Sequence, residues 1–285
     1  MRPTLREVFC ALYPSTYRYK AIVILQAVVD ASHDMKDRRL TVAGFFAPLS
    51  VWCGLQEAWQ GFRDRVGVPS IRMAAVMSRR VPPYSCWSDS DRHAFITEAM
   101  TLINATTFGL TVTLNLEHFY EVSTEDRESI FGNNPFGLCA AQLIGTAARI
   151  LELAELTDES VLYVFDSGDH GEPAFTEAMM DLIRTDEASK NMLRVFGVSP
   201  AIKERFAALD MPDIFAWLVN QHHLNMPRGC TIGESSPYLS KVTTENIGHY
   251  IAGETLLDLI DGLRPFAPLN VYGRLASSDS GRNVR

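Results

Sequence analysis

Residues 21–30 read AIVILQAVVD. The run is apolar and rich in Val and Ile, the mark of a strand buried on both faces. Such a strand needs helices above and below it, so this short stretch already points to an α/β architecture. The run ends at Asp30-Ala31-Ser32-His33-Asp34, which reads as a polar loop. Residues 39–47 (RLTVAGFFA) form a second strand, and the short link between the two predicts a hairpin. An amphipathic helix is expected over 50–65, with Trp52, Leu55, Trp59 and Phe62 at helical spacing on one face.

Further along, residues 66–90 carry Pro, Ser and Arg and read as an irregular excursion, and 91–104 as a helix. Residues 107–118 (TFGLTVTLNLEH) alternate and are β-branched, which predicts a strand. A loop with Gly132, Asn133, Asn134 and Pro135 precedes an Ala- and Leu-rich helix over 136–155. Residues 160–166 (SVLYVFD) are a second buried strand that ends in Asp. Helices over 172–185, 211–223 and 244–263 and a short strand over 193–197 complete the pattern. A hairpin followed by alternating helices and strands predicts a mixed sheet flanked by helices. The strands ending at Asp30 and Asp166 are expected as central neighbours, and sites in such sheets form just beyond strand ends.

The 285 residues suit one domain over 21–265, preceded by an extension at 1–20 and followed by a tail at 266–285, whose end from Ser277 to Arg285 is rich in Ser, Gly, Asn and Arg. The net charge of -8 and pI near 5.4 argue against a protein that coats nucleic acid through bulk positive charge. Neither figure excludes a local basic groove. The five cysteines are scattered with no CxxC pair, which suits reduced thiols rather than a disulfide frame or a zinc site. The apolar run near the start is too short to span a bilayer and no cleavage site follows it, so a cytoplasmic protein without membrane association is expected.

Five aspartates stand where chemistry could be built. Asp30 and Asp166 close apolar strands, Asp169 follows in the turn Asp166-Ser167-Gly168-Asp169, and Asp210 and Asp213 lie three residues apart at a helix start. Each also has an ordinary structural reading. Asp30 could cap a loop, Asp166 to Asp169 is usual turn composition, and Asp210, Pro212 and Asp213 suit a helix N-terminus. Taken together they offer oxygen ligands of the kind that Mg²⁺ or Mn²⁺ take, and such ions serve phosphodiester cleavage. His33 and Asp34 flank Asp30. His222 and His223 sit near a helix end, where the dipole explains them, and Trp52 and Trp59 read as core. Arg72, Arg79 and Arg80 form a basic cluster that could grip phosphates or simply be solvated. The sequence contains no P-loop, GxGxxG or GxSxG motif.

At these residues the chain resembles the DUF3800 family, a domain of RNase H-like fold. That family opens with a strand ending in Asp-Glu-Ser-Gly, matched here by Val29-Asp30-Ala31-Ser32-His33. A strand with a small-Gly step follows, matched by Thr41 to Ala47, and then a helix with tryptophans, matched by Trp52 to Trp59. The family's acidic, Gly-containing turn is matched by Val164 to Glu172, and its Leu-Gln-Ala-Ala-Asp helix start by Leu209-Asp210-Met211-Pro212-Asp213. The resemblance implies an RNase H-like sheet and a metal-binding triad of Asp30, Asp166 and Asp213, with Asp169 and Asp210 as secondary acids. The chain departs from the pattern at Ala31, where the family has Glu, at His33 for Gly, at Asp210 for Gln and at Met211-Pro212 for Ala-Ala.

The expected function is therefore a phosphodiesterase or nuclease dependent on Mg²⁺ or Mn²⁺, acting on nucleic acid. The alternatives are a catalytically silent RNase H-like module that binds a protein or nucleic-acid partner, and a metal hydrolase acting on a small phosphorylated molecule.

Overall fold

A computed structural model describes residues 25–34, 38–78, 80–128, 132–156, 159–225, 238–239, 242, 245–252 and 255–256. The expected N-terminal extension at 1–20, the tail at 266–285 and residues 21–24 of the first strand lie outside the described residues. The strands are β1 (Leu25–Asp34), β2 (Arg39–Pro48), β3 (Phe108–Asn115), β4 (Val161–Asp166), β5 (Val195–Ala201) and β6 (Glu245–Ile251). The principal helices are α1 (Leu49–Val66), α2 (Met73–Ser78), α3 (Asp89–Ile103), α4 (Leu116–Glu121), α5 (Pro135–Leu153), α6 (Glu172–Thr185), α7 (Glu187–Met192) and α8 (Asp210–Asn225).

The strands form one mixed sheet in the order β5-β4-β1-β2-β3-β6. β1, β2 and β3 make an antiparallel meander. β4 and β5 extend it in parallel on the free side of β1, and β6 pairs in parallel with β3. Side chains alternate across the sheet, and each face has its own core. Leu25, Ala27 and Val29 of β1 and Val161, Tyr163 and Phe165 of β4 pack with Leu138, Leu143 and Ala147 of α5 and Phe175 and Met179 of α6. On the opposite face, Val28 joins Ala43 and Phe45 under Trp52, Trp59 and Phe62 of α1, Ile96 of α3, and Met211, Ile214 and Phe215 of α8. Leu162 and Val164 of β4 point the same way, toward Ala201 and Phe206.

Local chemistry sets the helix ends. α1 stops at Gly67, whose φ of 75° is a conformation that L side chains rarely adopt. α3 begins with a reciprocal capping box between Ser88 and Asp91. α5 is capped by Asn134, which accepts from Gly137 N–H. Among the described residues α5 is the one helix long and apolar enough to cross a membrane, and it lies against the sheet with its apolar side buried.

The structure corrects several expectations from the sequence. β1 does not stop at Asp30 but continues to Asp34, because the antiparallel pairing with β2 runs through Asp34↔Arg39. Only the parallel pairing with β4 stops at this level, at Val29↔Phe165. Residues 116–118 are helical rather than strand, with Asn115 capping α4. The excursion at 66–90 contains α2 and buries Ile71, Met73 and Val76 in the core. Residues 245–251 form strand β6 where a helix was expected; the remainder of that expected helix lies largely outside the described residues. The misreading has a simple cause. Ile247 and Ile251 are four apart, a spacing that serves one face of a helix and one face of a strand equally.

Candidate functional site

The pleat decides where the two strand aspartates point. Asp30 has the parity of Val28, and Asp166 that of Val164, so both face the side of the sheet that carries α1 and α8. The parallel register pairs Val28 with Val164 and Val29 with Phe165, so its next step sets Asp30 beside Asp166. Asp169 returns from the turn after β4, and its Oδ2 accepts from Ala31 N–H at 3.1 Å. Asp213, in the first turn of α8, closes the group and accepts from Met73 N–H at 3.4 Å. The 66–90 excursion thus reaches the site through the start of α2.

A residue that the sequence reading did not single out stands at the centre. Lys203 follows β5, and its ammonium contacts Asp30 Oδ2 and lies 3.5 Å from Asp213 Oδ2 and 3.7 Å from Asp166 Oδ2. Lys203 is 3% exposed, whereas its neighbours Glu204 and Arg205 are exposed. In the sequence, Lys203-Glu204-Arg205 looks like a solvated charge run, and nothing in it marks the first member as buried.

Four carboxylates against one buried ammonium leave the cluster acidic, and the titration shifts follow. Burial raises Asp30 well above the ordinary carboxylate range; Lys203 opposes this, while Asp169, Asp213 and Asp166 add to it. Burial pushes Asp169 up to about 7, against the pull of hydrogen bonding with Asp30 and with the Ala31 N–H. Asp213 is raised by burial too, with Lys203 and the Met73 N–H opposing. For Lys203, burial works against the ammonium, but Asp30 and Asp213 outweigh it and hold the group above the usual lysine range.

Asp210 is drawn into a different set of contacts. Its oxygens accept from Arg63 Nε and Nη2, each at 2.6 Å, and from Trp59 Nε1 at 3.0 Å. Both members of this ion pair are fully buried. The same Arg63 donates to the carbonyl of Lys203 at 2.9 Å, and Gln56 accepts from Ala208 N–H at 3.0 Å. One face of α1 therefore clamps the segment 203–210 that carries Lys203 into the cluster. Arg63 lies four residues after Trp59, on the face the sequence reading assigned to apolar packing.

The remaining candidates separate. His33 is exposed and the Asp34 side chain lies outside the described residues. His222 and His223 lie about 14 Å along α8 from Asp213, from the helical rise, and burial lowers both, His223 to about 4. Trp52 and Trp59 are core. Arg72 is exposed at the rim, 3.7 Å from Glu204, and its charge opposes the rise of the Asp213 carboxyl. Arg80 is exposed and Arg79 lies outside the described residues.

Among the described residues, no three His, Cys, Asp or Glu side chains stand ready to hold a metal ion. The chemistry of the donor set nevertheless fits a hard divalent cation. Every donor in the cluster is a carboxylate oxygen, and the carboxylates outnumber the one cation among them. What such an ion requires is that the Lys203 ammonium move aside. No protein-family model matches the chain, and no curated protein matches it.

Proposed function

We propose that the chain is a divalent-metal-dependent phosphodiesterase, a nuclease, on an RNase H-like fold, with Asp30, Asp166 and Asp213 as its catalytic carboxylates and Asp169 beside them. The observation that carries this reading is the convergence of carboxylates from β1, β4, the turn after β4 and α8 at the end of the parallel β1–β4 pairing. The antiparallel meander extended in parallel on the β1 side supports the RNase H-like part, as does the resemblance to the DUF3800 family in the order of its motifs.

In this reading Asp30, Asp166, Asp213 and Asp169 hold Mg²⁺ or Mn²⁺. The ion would supply water activation and charge stabilisation for in-line cleavage at phosphorus. Without metal, burial holds Asp169 up at about 7, so an ion taken by this carboxylate would displace a proton from it at neutral pH. Arg72 offers an exposed positive group beside Asp213 for a substrate phosphate. Asp210 stands outside the set because Arg63 and Trp59 already engage its oxygens.

The test is cleavage of single- and double-stranded DNA, RNA, a nucleotide, a sugar phosphate and an activated phosphodiester in Mn²⁺, comparing the wild type with Asp30→Asn. Mn²⁺-dependent cleavage of a diester that is lost in the variant is expected. Cleavage at the wild-type rate in Asp30→Asn, or none on any substrate, overturns the reading, and hydrolysis of monoesters alone moves it to a small-molecule phosphatase. One observation favours a second reading, that of a silent module binding a protein or nucleic-acid partner: Lys203 already sits amid the carboxylates. In that case Asp30→Asn leaves partner binding intact.

A further inference from the structure

Lys203 reaches the acidic cluster from a turn whose next two residues are exposed. Its backbone is held in place, since its carbonyl accepts from Arg63, which is itself fixed by the bidentate contact to Asp210. Its side chain is a flexible four-carbon stem ending in a compact point charge with three donors. Three carboxylates face that charge: Asp30 in contact, Asp213 at 3.5 Å and Asp166 at 3.7 Å. These are the same three that the proposed function assigns to the metal. A cation bound among them would meet the ammonium at close range in a buried setting, where like charges repel strongly.

We propose that Lys203 is a built-in competitor for the divalent cation: its ammonium keeps the cluster folded when metal is absent, and the side chain must swing out for metal to bind, so Lys203 sets the metal affinity. The inference rests on the metal-site reading above. The pinned backbone and the rotatable stem then have separate tasks. The Arg63–Asp210 clamp keeps Lys203 in reach, and rotation of the stem exchanges one cation for the other. By reciprocity, whatever removes the ammonium strengthens metal binding by the factor with which metal expels it, about 10-fold or more.

The experiment is calorimetric titration of the full chain with Mn²⁺, comparing wild type, Lys203→Met and Lys203→Met/Asp30→Asn, with thermal midpoints read with and without Mn²⁺. Lys203→Met should bind Mn²⁺ about 10-fold tighter or more, and its midpoint should rise further with Mn²⁺ than that of the wild type. The double variant should lose this gain. Equal affinity in wild type and Lys203→Met, with binding lost in the double variant, leaves the metal site standing and overturns the competitor role. Absence of Mn²⁺ binding in both wild type and Lys203→Met overturns the two together. The methionine variant strips a buried cluster of its cation, so its folding is itself a readout. If it is unfolded alone and folds on adding Mn²⁺, the exchange is supported. If it stays unfolded at Mn²⁺ levels that saturate the wild type, the exchange is refuted.

Discussion

Replacing Asp210 with Ala should be among the most costly single changes in this protein. The carboxylate is fully buried, takes two 2.6 Å hydrogen bonds from Arg63, and accepts a third from Trp59. Alanine would leave the Arg63 guanidinium in the core with only the Lys203 carbonyl to answer it. Breaking a buried pair from one side costs about 3–5 kcal/mol, against a total stability of roughly 5–15 kcal/mol for a domain. The orphaned Trp59 N–H adds to this, so about 4 kcal/mol is a conservative expectation. In urea the midpoint should fall by about 1–2 M with an unchanged slope. A cycle with Arg63→Met separates the pair from its parts. Once Asp210 is gone, losing the guanidinium should cost far less, giving a coupling of about 2 kcal/mol or more. A loss below about 1 kcal/mol for Asp210→Ala, or simple additivity with Arg63→Met, would refute the view of Asp210 as the structural clamp of the 203–210 segment.

Two further outcomes follow from the same contacts. Without metal, stability should fall as pH rises from about 4 to about 7, because folded Asp169 holds its proton up to about 7 while an unfolded aspartate releases it near 3.8. Each pH unit of that gap is worth about 1.4 kcal/mol, which part exposure reduces to an expected total of about 1–3 kcal/mol. Urea unfolding at pH 4.5 and 7.5 checks this, since Asp169→Asn should flatten the slope, and a variant that keeps it would sink the assignment. Gly171→Ala should cost about 1–3 kcal/mol, because Gly171 has a φ of 92° and an added Cβ would meet Asn134 Oδ1 at 2.3 Å. Asn134 both caps α5 and donates to the Gly171 carbonyl, so an unchanged thermal midpoint would show that this link between α5 and the Asp169 turn carries no strain.

What the sequence settled by itself is local. The Val- and Ile-rich runs announced central strands, and the Trp52–Phe62 spacing announced a helix packed on them, because both depend only on which neighbours along the chain share a face. The aspartates at 30, 166, 169, 210 and 213 stood out for the same reason, as charges placed where apolar elements start or stop, and the family resemblance alone narrowed them to 30, 166 and 213. Tertiary structure decided everything that depends on partners far away in sequence. Asp210 and Asp213 look alike along the chain, yet Arg63, 147 residues away, takes the first, and the second turns toward Lys203. β6 became a strand because β3 offered it an edge, which no periodicity within 245–251 records. Lys203 gave no local sign, since a lysine followed by Glu and Arg costs least in water. Only three carboxylates gathered from two strands and a helix make burying it favourable, and that balance exists only once the chain has folded.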